Sequence, residues 1–364
     1  MFKTTRFLRE YFRRGSFPVV RTETRYHREG EDLDASVYSL PGKKRRPGWV
    51  VLHGLTAPGK DHPSLERFVR SLAATDAVVM TPDIPEWRNL RVASTISIPT
   101  IRSAIRSLSE HPAVAGDRVG LIGFSFGATQ GIVAAADPAL EPTLHGVAAW
   151  GGYRDVRRLC RFVTTGEHDL DDVPYRVPHD PYGGWILGSE FLTDVPGLED
   201  YHDVAAALRE LALEAGRRRI FAWDPSYDPD KLRLRETIAQ PHRVVYDLFA
   251  SPAGQPLNDL DRAREIAYGM GDAALRVQPL LDPGPFLPHF RTRTLIAHGR
   301  NDRVIPYTES LRIARELRPN VLARCTITGL FAHSGGTEKG LGPWGLSREG
   351  TRFVALLNSI IRLI

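Results

Sequence analysis

Short apolar runs alternate with segments of helical periodicity along most of the chain, and this alternation restricts the possible folds most strongly. Residues 49–52 and 119–122 form apolar runs, as expected for strands buried on both faces of a sheet. Residues 64–73 repeat apolar side chains at the spacing of a helix. Residues 19–27 and 35–40, on either side of a polar turn at 29–32, predict an antiparallel hairpin at the sheet edge. Strands that alternate with helices predict an α/β fold, a mostly parallel sheet with helices on both faces.

The alternation stops between residues 155 and 286 and then resumes. Turns rich in Pro, Gly and Asp, such as 180–184, divide this stretch, which predicts an inserted, mainly helical cap. Its predicted helices are 204–215, 231–238, 243–249 and 259–270. The predicted organisation is therefore an amphipathic N-terminal helix (1–15), an α/β core (16–154 and 287–364) and the cap (155–286).

Composition and length indicate a folded, water-soluble protein. The chain has 364 residues, of which 42% are hydrophobic and 25% are charged. No apolar run reaches the ~18 residues that a membrane span requires, and the N-terminus lacks the apolar core of a secretory signal. The 2 cysteines, Cys160 and Cys325, are too few for a disulfide framework. We therefore expect a cytoplasmic protein.

The charge balance is basic, with a net charge of +5 and a pI near 9.3. The basic residues are scattered and accompany no nucleic-acid-binding motif, so a nucleic acid partner is not expected. In residues 1–15, aromatic and basic side chains interleave in the pattern of an amphipathic helix. This helix could make a weak peripheral contact with a membrane surface, or its aromatic face could dock on the protein's own body. The sequence leaves the oligomeric state open.

Residues 123–127, Gly-Phe-Ser-Phe-Gly, follow one predicted strand and precede an Ala-rich segment of helical character. This is the Gly-x-Ser-x-Gly pattern, in which a serine occupies a sharp, strained bend between a strand and a helix. A side chain at Gly123 or Gly127 would collide with the backbone that folds back across such a bend. The pattern makes Ser125 the candidate nucleophile.

A serine hydroxyl is a weak nucleophile unless a base removes its proton and an acid orients that base. Asp302 lies in the loop after the predicted strand 294–297, where the sheet would hold an acid at its carboxyl edge. If the chain order Ser, Asp, His applies, the base must follow Asp302. Of the 12 histidines only His333 does so, and it lies in the loop after the next predicted strand. The sequence therefore predicts Ser125, Asp302 and His333 as a catalytic set, with Asp155 as the alternative acid.

Together with residues 52–55, Leu-His-Gly-Leu, these motifs make the chain resemble the α/β-hydrolase superfamily, in particular uncharacterised bacterial esterase-like members. The resemblance covers everything outside the predicted cap. It implies that the backbone N–H groups of Leu55 and Phe126 bind the oxyanion, with His53 and Gly54 supporting that loop. It also implies a structural role for Asp83.

The function that follows is hydrolysis of a small-molecule carboxylic ester or other acyl substrate through an acyl-enzyme. A thioesterase, an acyltransferase or an aminopeptidase-like amide hydrolase remains open, as does a non-catalytic ligand-binding protein of the same fold. No cofactor or metal is expected, because the acidic run at 168–172 matches neither a calcium loop nor a zinc helix. Aromatic residues of the cap are explained equally well as the lining of an acyl pocket or as packing of the cap. They are Trp185, Phe191, Phe221, Trp223, Tyr227 and Phe249.

Overall fold

A computed structural model describes residues 2–330 and 343–364, which are built on a sheet of eight strands. The strand order is β1-β2-β4-β3-β5-β6-β9-β10. Strand β2 runs antiparallel to both of its neighbours, β1 and β4, and from β4 to β10 all neighbouring strands are parallel. This is the mostly parallel sheet that the sequence predicted. The strands are β1 (Val20–Arg28), β2 (Glu31–Ser39), β3 (Arg46–Leu52), β4 (Val78–Pro82), β5 (Val114–Phe124), β6 (Leu144–Trp150), β9 (Thr294–Gly299) and β10 (Leu322–Thr328).

Helices cover both faces of the sheet and form most of the segment between β6 and β9. Outside that segment they are α1 (Phe2–Phe12), α2 (Pro63–Ala73), α3 (Pro85–Arg88), α4 (Ser94–Ser109), α5 (Phe126–Ala135), α12 (Tyr307–Glu316) and α13 (Pro343–Ile361). Within it they are α6 (Val156–Thr165), α7 (Pro181–Phe191), α8 (His202–Arg218), α9 (Asp228–Thr237), α10 (Arg243–Phe249) and α11 (Leu260–Val277).

The two faces of the sheet bury separate cores because successive side chains of a strand point in opposite directions. In β3, Val50 and Leu52 belong to a core shared with α4, α5 and the segment 155–286. Trp49 and Val51 belong to the opposite core, which α1, α2 and α13 cover. Residues 155–286, called the inserted segment below, therefore pack on one side of the sheet, and the N-terminal helix α1 lies on the other.

The edge hairpin has a tighter turn than the sequence indicated. The predicted turn 29–32 is wrong for residues 31 and 32, because these residues belong to β2. The pairing of the two strands extends as far as Arg28 opposite Glu31. Only Glu29 and Gly30 remain in the turn, with φ of 42° and 94°. Two consecutive positive φ values are typical of the two-residue turns whose twist matches that of a hairpin.

The segment 155–286 contains six α-helices and also a small hairpin that the sequence did not predict. In this hairpin β7 (Glu167–Leu170) pairs with β8 (Val173–Arg176). The acidic run at 168–172 lies here, and Asp169 forms ion pairs with Arg161 and Arg312. Arg312 belongs to α12, so this acid ties the inserted segment to the α/β core.

The prediction of a turn at 180–184 was wrong, because α7 begins there. Asp180 caps the helix by accepting a hydrogen bond from the Tyr182 N–H (3.0 Å), and Pro181 occupies the first helical position. The following glycines allow close helix packing, since a Cβ at Gly183 would lie 2.6 Å from a methyl carbon of Val163. The glycines therefore serve contact between α7 and α6.

The N-terminal helix α1 docks through one face, with Phe7 buried against Phe68 of α2. Its other face is open, since Phe2 and Phe12 are 75% and 74% exposed. No helix in residues 2–330 and 343–364 is long and apolar enough to cross a membrane.

Candidate active site

Ser125 occupies the bend between β5 and α5, as the sequence predicted. Its φ of 56° and ψ of −128° lie outside the regions that L-residues normally adopt. The Ser125 N–H donates to the Trp150 carbonyl of the neighbouring strand (2.8 Å), and its own carbonyl accepts from the Ala128 N–H (2.9 Å). These bonds hold the strained residue at the positive end of the dipole of α5.

Glycine is required on both sides of this bend, and the loop above it passes close to Ser125. A Cβ at Gly123 would lie 2.2 Å from the Gly127 carbonyl oxygen, and one at Gly127 would lie 2.3 Å from the His53 carbonyl oxygen. A Cβ at Gly54 would lie 3.0 Å from Cβ of Ser125 and 3.4 Å from its Oγ. The loop after β3 therefore passes directly beside the hydroxyl of Ser125.

Strand pairing explains why these two loops meet. Strands β3 and β5 are parallel neighbours with Leu52 opposite Gly123, so the residues that follow them emerge at the same edge of the sheet. His53 shapes the first loop: its ring Nδ1 hydrogen-bonds the Gly54 carbonyl oxygen (2.7 Å), and its ring packs edge-on against Trp87. Burial lowers the pKa of His53 to about 4, so this ring is neutral near pH 7 and supports the loop as an uncharged group.

Leu55 and Phe126, whose N–H groups we expected at the oxyanion, flank Ser125. Phe126 is the first residue of α5, and its buried ring packs against Trp87 and Tyr153. The Leu55 carbonyl accepts a hydrogen bond from the Tyr182 hydroxyl (3.2 Å). This bond links the loop after β3 to helix α7 of the inserted segment.

Asp302 lies in the loop after β9 and is 6% exposed. Its Oδ1 accepts hydrogen bonds from the N–H groups of Val304 (2.9 Å) and Ile305 (3.0 Å), which stabilise the carboxylate in a fixed orientation. His298 stabilises the same loop, since its Nε2 lies 2.9 Å from the Ile305 carbonyl oxygen and 3.4 Å from Oδ2 of Asp302.

The alternative acid, Asp155, has a different structural role. Its carboxylate caps α6 by accepting hydrogen bonds from the N–H groups of Arg157 (2.8 Å) and Arg158 (3.2 Å).

The acid with the expected structural role, Asp83, accepts a hydrogen bond from the guanidinium of Arg88 (3.0 Å). The predicted base, His333, lies outside the residues that the structure describes.

A cavity of about 410 Å³ opens at Ser125 between the core and the inserted segment. It is lined by side chains from helices α1, α2, α8 and α13 and from the loops at the sheet edge. Its lining includes Tyr11, His53, Gly54, Leu55, His62, Leu65, Phe68, Phe124, Ser125, Trp150, Asp180, Tyr182, Arg219, Phe221, Asp302, Val304 and Phe353.

A second, smaller cavity of about 60 Å³ also reaches Ser125. Nearly all of its wall is apolar. It is lined by Leu55, Val92, Ser125, Phe126, Tyr153, Val156, Leu159, Val163, Tyr182, Gly183, Ile186, Leu187, Leu281, Val304 and Ile305.

Of the cap aromatics named from the sequence, Phe221 lines the large cavity, whereas others pack the inserted segment internally. Trp185, for example, is fully buried and donates to the Phe249 carbonyl (2.9 Å). The sequence reasoning missed Tyr182, which lines both cavities. The Asp-Pro pair before it, a sign of a helix start, could have placed Tyr182 in the first turn of a helix.

The charged groups of the large cavity include Asp180, which is 4% exposed. Burial raises the pKa of Asp180 to about 6, although the hydrogen bond from the Tyr182 N–H favours its charged form. Within residues 2–330 and 343–364 no cluster of three or more His, Cys, Asp or Glu side chains could hold a metal ion.

Comparison with known proteins identifies the fold. No protein-family model matches the chain, and no curated protein matches its sequence. Esterase Est22 superposes with a TM-score of 0.53 at 13% identity, over 99% of this chain and 85% of that one. The acylaminoacyl peptidase of Pyrococcus horikoshii superposes with a TM-score of 0.50 at 14% identity, over 97% of this chain but 43% of the peptidase. The chain thus has the α/β-hydrolase fold, which confirms the prediction from the sequence.

Proposed function

We propose that the protein is a serine hydrolase that cleaves carboxylic esters through an acyl-enzyme on Ser125. The observation that carries this proposal is the conformation of Ser125, a non-glycine residue with a φ of 56° and a ψ of −128° that lines two cavities. Backbone strain of this kind costs on the order of 1–3 kcal/mol and persists at functional sites. At Ser125 this strain coincides with the Gly-x-Ser-x-Gly bend and with the lining of both cavities.

In the proposed mechanism, Oγ of Ser125 attacks the ester carbonyl carbon and His333 accepts the hydroxyl proton. The N–H groups of Leu55 and Phe126 stabilise the oxyanion, and each such donor contributes about 3 kcal/mol. When the carbon–oxygen bond breaks, the leaving alcohol takes the proton from His333. A water molecule then attacks the acyl-enzyme with His333 as base, which releases the acid and restores Ser125.

Asp302 orients the imidazole in this proposal. Its Oδ1 is held by two backbone N–H groups, so the carboxylate cannot rotate freely. A fixed, charged acceptor selects the tautomer of His333 that leaves the other ring nitrogen free to accept the proton of Ser125.

The same arrangement suits thioesters, amides and transfer of the acyl group to an alcohol, so a thioesterase, an acyltransferase and an aminopeptidase-like enzyme are alternative activities. A non-catalytic ligand-binding role is the alternative from a different class. We expect a fluorophosphonate probe to label the full-length protein on Ser125, as mapped by peptide mass spectrometry. Ser125→Ala is the control that must lose the label, and a folded wild-type protein without label would refute the enzymatic proposal.

Separate assays decide which bond is cleaved. Matched ester, thioester and anilide substrates with one acyl group should give the highest kcat/KM for the ester. A higher value for the anilide or the thioester would favour one of the alternative activities.

We also propose a cytoplasmic protein that makes weak contact with anionic membranes through α1. At helical spacing Phe2, Arg9 and Phe12 of α1 fall on the side opposite the buried Phe7, Arg13 directly follows the helix, and all four are exposed. Exposed aromatic and cationic side chains on one helix face are typical of peripheral membrane binding.

Sedimentation with vesicles of phosphatidylcholine and phosphatidylglycerol tests this contact. The double substitution Arg9→Glu and Arg13→Glu should reduce the bound fraction, whereas the matched exposed pair Arg291→Glu and Arg293→Glu should not. Equal binding by the wild type and both variants would remove the proposal.

A further inference from the structure

Two cavities adjoin Ser125, and they differ about sevenfold in volume. Leu55, Ser125, Tyr182 and Val304 line both of them, so the two cavities are neighbours at Ser125. An ester bound to Ser125 has two substituents, the acyl chain and the alcohol. The two cavities can therefore hold one substituent each.

The position of the acid distinguishes the two cavities. Among the described residues, Asp302 and Gly299 line the large cavity and do not line the small one. Since Asp302 is the proposed partner of the base, and the base must protonate the leaving oxygen, the alcohol has to leave on that side. The acyl chain then points into the small cavity.

The walls of the small cavity are tightly packed side chains. Helices α6 and α7 meet there so tightly that Gly183 has no space for a Cβ beside Val163. Val163, Ile186 and Leu281 are 2%, 3% and 0% exposed, so they have little room to move aside. The volume of about 60 Å³ is well below the ~150 Å³ apolar cavity that holds a benzene ring.

We infer that the protein selects esters of short apolar acids, with an acyl chain of about two to four carbons, and accepts bulky apolar alcohols. This inference rests on the proposed function and adds the substrate class. Phe68, Phe124 and Trp150 make the wall of the large cavity aromatic, which favours a large apolar alcohol over a sugar or a charged group.

The first experiment varies the two halves of the substrate independently. With 4-nitrophenol as the fixed alcohol, kcat/KM should fall about tenfold or more between the butanoyl and octanoyl esters, because the longer chain has no cavity to enter. With acetate as the fixed acyl group, 1-naphthyl and decyl esters should remain substrates. A preference for long acyl chains and small alcohols would overturn the assignment.

The second experiment enlarges the small cavity. Ile186→Ala removes three carbons from its wall, and we expect the ratio of kcat/KM for hexanoyl over acetyl esters to rise about tenfold or more. Ile266→Ala is the matched control, since Ile266 is equally buried in α11 of the same segment but lines neither cavity. Its ratio should equal that of the wild type.

An unchanged ratio in a folded Ile186→Ala protein would overturn the inference, as would an equal change in both variants. Fluorophosphonate labelling of Ser125 separates this failure from failure of the proposed function. A labelled, active enzyme with a flat chain-length profile refutes the substrate class alone, whereas an unlabelled and inactive wild type refutes both. Melting temperatures of both variants establish that each remains folded.

Discussion

The bend at Ser125 and the inserted segment are both needed to build the site, but they are constrained in different ways. At the bend, the close contacts at Gly123 and Gly127 are with backbone atoms, so only glycine is tolerated at either position. In the inserted segment, side chains such as Ile186 meet partners from distant parts of the chain. Side-chain contacts can be rearranged by compensating substitutions, whereas backbone contacts cannot. This difference explains why a short motif locates the candidate nucleophile and no comparable motif specifies the substrate.

The two candidate acids give the strongest test of this comparison, because Asp302 belongs to the core and Asp155 begins the inserted segment. Asp302→Asn should lower kcat/KM on the order of 10⁴-fold, since the base would no longer be held in the required tautomer. Asp155→Asn should change kcat/KM little and cost at most about 1 kcal/mol of stability through its helix cap. Steady-state kinetics measures the change in kcat/KM, and thermal unfolding measures the change in stability. A large loss of kcat/KM in Asp155→Asn and a small one in Asp302→Asn would identify Asp155 as the acid instead.

Gly127→Ala tests the backbone constraint itself. The new Cβ would lie 2.3 Å from the His53 carbonyl oxygen, so the loop after β3 must shift. We expect a loss of about 3 kcal/mol in unfolding free energy and on the order of 10²-fold in kcat. Gly350→Ala in α13 is the control, because nothing lies within 4 Å of its Cβ position. If Gly127→Ala proved as stable and active as this control, the tight contact between the two loops would be disproved.

Glu309 of α12 lies at the junction between the core and the inserted segment. It accepts hydrogen bonds there from the N–H groups of Arg154 and Asp155 (both 3.0 Å). Burial raises the pKa of Glu309 from 4.5 to about 7, and the nearby Arg158 guanidinium opposes this shift. The folded state therefore binds the proton more tightly than the unfolded state does. The resulting stabilisation is complete below pH 4.5 and is lost as the pH rises through about 7, a change of up to about 3 kcal/mol.

Glu309→Gln removes this titration. The melting temperature of the variant relative to the wild type should therefore be higher at pH 8 than at pH 5, with other titrating groups cancelling between the two proteins. If the melting temperatures of both proteins changed with pH in the same way, Glu309 would not change its charge in this range.

The smallest predicted effect concerns strain at the bend. Ser125→Gly should be more stable than Ser125→Ala by about 1 kcal/mol, because glycine adopts a positive φ without steric cost. Both variants lack the hydroxyl and should be inactive, so the comparison isolates the backbone. Equal unfolding free energies from chemical denaturation would contradict the strain at Ser125.

Much of the fold could be predicted from the sequence because the pattern of the strands is local. Continuous apolar runs indicated the parallel strands, and the Gly-x-Ser-x-Gly motif located the bend before α5. The hairpin β7–β8 was missed, because each of its strands has four residues, too few to show a clear period. Helix α7 was missed because Gly183 and Gly184 suggested a turn, whereas their actual role depends on the approach of α6.

By itself, the sequence determined the sheet, the bend that holds the candidate nucleophile Ser125 and the loop after β9 that holds the candidate acid Asp302, since each follows from local periodicity or from steric limits on the backbone. Only the tertiary structure showed that Tyr182 reaches the Leu55 carbonyl and that two unequal cavities meet at Ser125. The volume of a cavity depends on how side chains from α6, α7 and the core fill the space between them. That packing is a property of residues far apart in the chain, and no local pattern encodes it.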